Sequence, residues 1–324
     1  MLIDNFKREF RYLRLSITDV CNFRCDYCLP DGYECDTERK FLSPDEIRRL
    51  VTGFAQTGIS KIRLTGGEPA LRKDLTEIIE ICKNVKGIDT VALTTNGFNL
   101  SKKITEWKNA GLDALNVSID SLRPDVFKQI TGFDKLNEIL AGLEIAQSLN
   151  FNAVKVNAVL LNGFNHRQLD EFKHWIKDKE MTLRFIELMQ TGDNLDYFNK
   201  HHISGADIKK TLIDDGWVEK IKHKNAGPAQ EFSHSDYQGN IGLIMPYSPD
   251  FCHTCNRLRI SALGNLHLCL FAEQGYSIRE WLQTDQQLPD LVTQLHRLLN
   301  TKAATHDLHN LNTGATKHLA MLGG

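Results

Sequence analysis

The sequence predicts an α/β fold, a partial (β/α)6 TIM-type barrel followed by a smaller C-terminal region, and three observations predict it. Short β-type runs alternate with amphipathic helical stretches six times up to about residue 190, the pattern of parallel βαβ units. The strands alternate apolar with polar residues, whereas strands covered by helices on both faces read as continuous apolar runs. After about residue 200 the alternation stops.

The first strand is Tyr12–Ile17, with Leu13, Leu15 and Ile17 on one face and Tyr12, Arg14 and Ser16 on the other. Ser43 is an N-cap, Pro44 takes the first helical position and Glu46 completes a capping box. Ile47, Leu50, Val51 and Phe54 then form one apolar stripe. The second strand, Lys61–Thr65, sets Ile62 and Leu64 opposite Lys61, Arg63 and Thr65. Asp74 opens the next helix, where Leu75, Ile78, Ile79 and Cys82 repeat the helical spacing. Cys82 is therefore expected as a small buried hydrophobe. Strands at Thr90–Thr94, Ala114–Ile119, Ala153–Leu160 and Leu183–Leu188 alternate with weaker helices over about 100–110, 124–131, 136–149 and 168–178. Asn116, Ser118 and Asp120 share the polar face of the fourth strand, and Lys155 and Asn157 that of the fifth. In the sixth, Arg184 is ambiguous, because Glu187 and Met189 carry the opposite parity. Gly227-Pro228-Ala229 and the stretch from Pro246 to Pro249 read as loops. Amphipathic helices near 277–283 and 286–300 follow. The chain divides into a barrel at 1–200 and a C-terminal region at 201–324.

Lysine plus arginine against acid is 39 − 41 = −2, so no general pull toward nucleic acid or anionic membrane is expected and any cationic site is local. No apolar run reaches the roughly 18 residues of a membrane span, and the stretch from Met1 to Glu9 carries no secretory h-region. A soluble, cytoplasmic protein is expected. Six of the eight cysteines fall in two groups, Cys21, Cys25, Cys28 and Cys252, Cys255, Cys269. In a reducing compartment such groups point to metal rather than disulfides.

Cys21-x3-Cys25-x2-Cys28 follows the first strand at its C-terminal end, where a barrel places its chemistry. Three thiolates on one loop can hold a [4Fe–4S] cluster with one iron open to a further ligand. Structural zinc wants four ligands, and Cys35 is the only nearby addition. The C-x2-C-x13-C group leaves more open, because zinc ribbons begin the same way and His253 or His267 could join as a ligand. The twelve histidines show no catalytic grouping. Arg14, Lys61, Arg63 and Lys155 share the polar parity of their strands, and Arg257 and Arg259 alternate beside the second group. So many cations in a protein of net charge −2 call for an anion, and arginine forks with lysine point charges suit a triphosphate. The alternative pairs each with an internal acid such as Asp120 or Glu187.

These residues resemble the radical S-adenosylmethionine (SAM) enzymes, whose hallmark is the Cys-x3-Cys-x2-Cys loop. Thr65-Gly66-Gly67-Glu68-Pro69 is similar to that family's Gly-Gly-Glu-Pro segment. The resemblance implies SAM bound at the open iron, reductive cleavage to a 5′-deoxyadenosyl radical, and SAM contacts from Tyr27, Gly67, Ser118 and Met189. Across nearly the whole chain, segments such as Leu93-Thr94-Thr95-Asn96-Gly97, Arg184-Phe185-Ile186-Glu187 and Cys255-Asn256-Arg257-Leu258-Arg259 look like the branch that opens molybdenum-cofactor biosynthesis by cyclising GTP. That branch implies a second [4Fe–4S] cluster on Cys252, Cys255 and Cys269, with guanine on its open iron, in a C-terminal region that closes the barrel. It implies GTP contacts from Arg14, Arg63, Thr94, Lys155, Arg257, Leu258 and Arg259, and 3′,8-cyclo-7,8-dihydro-GTP as product. Catalytic roles fall to Arg257, Arg259 and the terminal Gly323-Gly324, whose passage into the cavity the resemblance implies against the composition's plain disordered end. The tail has Leu319 and Leu322 where the branch usually has Met and Ile. Implied partners are an electron donor and, downstream, cyclic pyranopterin monophosphate synthase, and a homodimer is admitted. Competing readings are a peptide-modifying radical SAM enzyme with an auxiliary cluster, and a zinc-stabilised nucleotide- or RNA-binding module.

Overall fold

Alternating strands with one apolar face become a sheet whose apolar side is covered by helices, and the first six strands do so in sequence order. The computed structural model describes residues 1–34, 40–221 and 226–323. Cys35 and Gly324 lie outside the described residues. Strands β1 (Tyr12–Thr18), β2 (Lys61–Gly66), β3 (Thr90–Thr95), β4 (Ala114–Ser118), β5 (Ala153–Leu160) and β6 (Thr182–Glu187) are parallel neighbours. Between them run α1 (Pro44–Gln56), α2 (Leu75–Asn84), α3 (Leu100–Asn109), the pair α4 (Pro124–Thr131) and α5 (Leu136–Ser148), and α6 (Leu169–Ile176). Leu13, Leu15, Ile17, Ile62, Leu64, Leu115 and Val117 are fully buried in one core with the helix stripes. Cys82 is in that core, and burial pushes its thiol up to about 12.

The capping box forms as expected, with the Ser43 hydroxyl accepting from the Glu46 amide and the Glu46 carboxylate accepting from the Ser43 amide. Asp74 does not cap α2 through its side chain. Its carboxylate is taken by Arg72, at 2.6 and 2.8 Å.

The C-terminal half departs from expectation. After α7 (Leu195–His201) and α8 (Ala206–Asp214), β7 (Val218–Glu219), β8 (Gln230–Ser233) and β9 (Asn240–Ile244) continue the sheet beyond β6, β9 lying parallel to it. On the other edge β10 (Arg257–Ile260) is parallel to β1, followed by β11 (Asn265–His267) and β12 (Tyr276–Ser277). The last region thus contributes a parallel strand to each edge of the six-stranded core. The helix expected at 277–283 is only a 3-10 turn at Arg279–Leu282, and the one expected at 286–300 is α9 (Leu288–Leu299). Leu291 of α9 packs so closely on Gly53 of α1 that a Cβ there would lie 2.4 Å from it. Among the described residues, no helix is long and apolar enough to cross a membrane.

Arg279 ties this C-terminal layer to α1 by donating to both Glu46 oxygens, at 2.7 and 2.9 Å. Burial pushes the Glu46 carboxyl up, but Arg279, the Ser43 amide and Gln283 together hold it below its ordinary value. A depressed carboxyl contributes stability above its unfolded pKa and loses it as pH falls through the folded one. Glu46→Ala is expected to cost about 2 kcal/mol at neutral pH through the lost cap and charged hydrogen bonds. The deficit should shrink below about pH 4. Denaturant midpoints at the two pH values check this.

Candidate active site

Beyond Thr18 the chain leaves β1 and turns into the loop that carries Cys21, Cys25 and Cys28. The loop is pinned to the end of α4, with the Arg24 and Asp26 amides donating to Thr131 and Ile130 carbonyls at 3.1 Å. Phe23 stacks on Phe133 at 5.1 Å. All three thiols are free and partly buried. Burial pushes Cys21 up to about 11 and Cys28 up to about 12, and raises Cys25, with Asp120 and the other two thiols adding to it. Three mutually opposing thiols held together by a pinned loop fit a group that brings positive charge, as an iron–sulfur core does. Among the described residues, no three His, Cys, Asp or Glu side chains gather tightly enough to hold a single metal ion. A cubane takes its sulfurs at separate corners.

Gly66 closes β2 and Gly67 follows it, and neither has room for a side chain. A Cβ on Gly66 would lie 2.1 Å from the Thr18 carbonyl oxygen, and one on Gly67 2.3 Å from that of Val20. The close approach is to the chain's own backbone, where the Gly67 and Glu68 amides donate to Thr18 and Val20 at 3.0 and 2.7 Å. Glu68 is buried and accepts from Ala70, Thr95 and Asn96 at 2.9, 2.7 and 2.6 Å. Burial nevertheless lifts its carboxyl to about 7. The segment is a clamp joining β2, β3 and the cysteine loop. Tyr27 donates to Asp120 at 2.9 Å, just past the end of β4 where Ser118 stands. Met189 follows β6 and packs with Tyr27 and Cys28 against the tail residues Leu319 and Leu322. Tyr27, Gly67, Ser118 and Met189 thus surround the carboxyl ends of β2, β4 and β6.

A cavity of about 380 Å³ opens inside the sheet. Arg14, Lys61, Arg63, Lys155, Arg184, Arg257 and Arg259 all line it. Pairing resolves the ambiguous Arg184, which lies opposite Asn157 in register and donates to Asn116 at 3.0 Å. Arg259, Arg14 and Arg63 sit side by side on β10, β1 and β2. Thr94 also lines the cavity, accepting from Arg63 at 3.3 Å. Leu258 differs from its neighbours. Its place between the two arginines turns its side chain to the other face of β10, into the hydrophobic core, so only its backbone is available to a ligand.

Two further cations were missed. Arg8 lines the cavity, pairs with Asp4 at 2.6 Å and donates to the carbonyls of Cys252 and Ala303. Lys302 also lines it and donates to the Leu268 carbonyl. Among the described residues, the one acid on the lining is Glu231, held by Lys155 at 2.5 Å. Asp120 and Glu187 do not neutralise the cations, for Asp120 serves Tyr27 and Val159 while Glu187 faces His202 at 3.5 Å. Burial and neighbouring arginines bring Lys155 down to about 8 and pull Arg184 and Arg259 below their ordinary values. The buried Nε atoms of Arg63 and Arg184 have no hydrogen-bond partner. Such a surface asks for several negative charges at once.

Cys252, Cys255 and Cys269 line the same cavity as free thiols. Burial pushes Cys255 up, but Arg257, Lys302 and Arg8 hold it below its ordinary value, which suits a thiolate ligand. The tail residues Leu319 and Leu322 share a hydrophobic cluster with one cysteine of each group, Cys28 and Cys269. The Leu322 and Gly323 carbonyls accept from Arg259 at 3.0 and 2.9 Å, and Gly323 also accepts from Arg14.

Known proteins can now be set beside this geometry. The GTP 3′,8-cyclase of Vibrio vulnificus (strain YJ016) is 53% identical over 323 residues, covering 99% of this chain and 97% of that protein. The enzyme of the same name from Yersinia pestis is also 53% identical, covering 100% and 99%. This chain belongs to the GTP 3′,8-cyclase family. A family model described as the Radical SAM superfamily matches residues 15–176 of this chain, and one described as Molybdenum Cofactor Synthesis C matches residues 181–308. In three dimensions the chain is similar to Streptococcus suis SuiB bound to S-adenosylmethionine, with a TM-score of 0.62 at 12% identity over 90% of this chain and 68% of that one. At that identity the likeness concerns the fold alone. The family's radical SAM chemistry implies a [4Fe–4S] cluster and SAM.

Proposed function

We propose that the chain converts GTP to 3′,8-cyclo-7,8-dihydro-GTP in molybdenum-cofactor biosynthesis. The observation that carries the reading is the single cavity in which a nine-cation wall meets both the cysteine-bearing β10 side and the glycine tail. When bound at Cys21, Cys25 and Cys28, the cluster and SAM supply one-electron chemistry, reductive cleavage of SAM and removal of hydrogen from a ribose carbon. Tyr27, Gly67, Ser118 and Met189 form the SAM side. Arg14, Arg63, Thr94, Lys155, Arg257, Arg259 and the Leu258 backbone hold the nucleotide, the guanidiniums taking phosphate oxygens in forks. Cys252, Cys255 and Cys269 hold a second [4Fe–4S] cluster that receives the guanine. Residues 1–200 act as the radical-generating barrel and 201–324 as the region that closes its open side. An electron donor, a cytoplasmic setting, a homodimer and cyclic pyranopterin monophosphate synthase as consumer of the product belong to the same proposal.

Anaerobic reconstitution followed by SAM, GTP and dithionite tests it. About eight iron atoms per chain and 5′-deoxyadenosine that forms only when GTP is present are expected. SAM cleavage that needs a peptide instead, or zinc at one or two per chain, would overturn it.

A further inference from the structure

Tyr12 lines the cavity and is 3% exposed. It stands in a lateral row between Lys61 of β2 and Arg257 of β10, its Cα partners in the two flanking strands. Its ring lies 5.2 Å from the Lys61 Nζ and 5.6 Å from the Arg63 Cζ. Arg14 follows two residues later on the same face, and the charges of Arg259 and Arg184 also reach the phenol. The charges that act on it most strongly, Arg63, Arg14, Lys61 and Arg257, are all cations. The lining's acid, Glu231, is engaged by Lys155.

We propose that Tyr12 is the proton-exchanging counter-charge of this cation wall, its hydroxyl releasing a proton to solvent when no polyphosphate is bound and recovering one when polyphosphate enters. The identity of the anion rests on the function proposed above. Burial alone raises a phenol's pKa, yet Arg63, Arg14, Lys61 and Arg257 bring Tyr12 down to about 7. Phosphate oxygens neutralise the same cations and add negative charge of their own, which returns the phenol to its protonated form. The sign follows from linkage. The nucleotide prefers the protonated site, so Tyr12 leaves affinity unchanged below about pH 7 and lowers it by up to about tenfold per pH unit above.

Tyr12→Phe keeps the ring, its packing and its contacts with Lys61 and Arg63 while removing the proton. Anaerobic calorimetry of the holoenzyme with GTP and no SAM, at about pH 8 in two buffers of different ionisation enthalpy, counts protons taken up. Lys155 also gains a proton on binding, but it does so in both proteins, so the difference isolates Tyr12. The wild type should take up about one proton more than the variant, and its affinity should fall more steeply between about pH 6.5 and 8. Inorganic tripolyphosphate should give the same difference. Equal uptake by both proteins would overturn the proposal. Should GTP fail to bind the wild type at all, the proposed function falls, and the tripolyphosphate comparison still decides the role of Tyr12 by the same criterion.

Discussion

Cys21→Ala is expected to abolish SAM cleavage while leaving the iron at Cys252, Cys255 and Cys269 in place. An open-iron cluster has three protein thiolates and none to spare. The second group hangs from other elements, the turn before β10 and the second residue beyond β11. Arg8 holds the Cys252 backbone by donating to its carbonyl at 3.1 Å. The two groups do approach a shared tail, for Cys28 and Cys269 both pack against its apolar residues, but a packing contact is not a ligand. Iron should fall from about eight to about four per chain, and 5′-deoxyadenosine should become undetectable by chromatography. Loss of all iron would show that assembly of one cluster requires the other.

What could be read in advance follows from where the information lies. Six strands and their helices were legible because each repeats its own period, and the cation wall was legible because Arg14, Lys61, Arg63 and Lys155 share strand parity. Arg184 stayed ambiguous partly because its strand ends at Glu187, so Met189 lies past it and carries no parity at all. β9 was hidden by Gly242, which reads as a strand breaker. Its reason is spatial, for a Cβ there would come within 2.9 Å of the Arg184 side chain. β10 is only four residues long, and its parallel pairing to β1 joins positions more than 240 apart. Arg8 and Lys302 had no signal, because one sits on a two-residue strand's flank and the other follows α9 outside any repeat. The glycines at the end of β2 were marked for a close approach, and they make one to the backbone of the cysteine loop. Sequence marks a close approach without saying to what.

Deleting Gly323 and Gly324 is expected to leave iron content intact and SAM cleavage proceeding, while cyclised product falls by at least about 100-fold, the scale of a misplaced reacting group. Gly323 is buried with φ of +61° and sits so close to Thr65 that an added Cβ would lie 2.3 Å from its methyl group. Only glycine reaches that position without displacing β2. Its carbonyl holds Arg14 and Arg259, two of the three guanidiniums aligned across β10, β1 and β2. On the proposed function, those arginines would then be free to turn to other phosphate oxygens, and the ribose would lose its fixed position relative to SAM. Leu319 and Leu322 keep the rest of the tail docked through their buried packing, so the loss is local. Gly323→Ala should reproduce most of the defect by strain alone, with SAM cleavage again uncoupled from product. Normal product formation by both variants would mean that the arginines are held by the nucleotide itself and that the tail only covers the cavity.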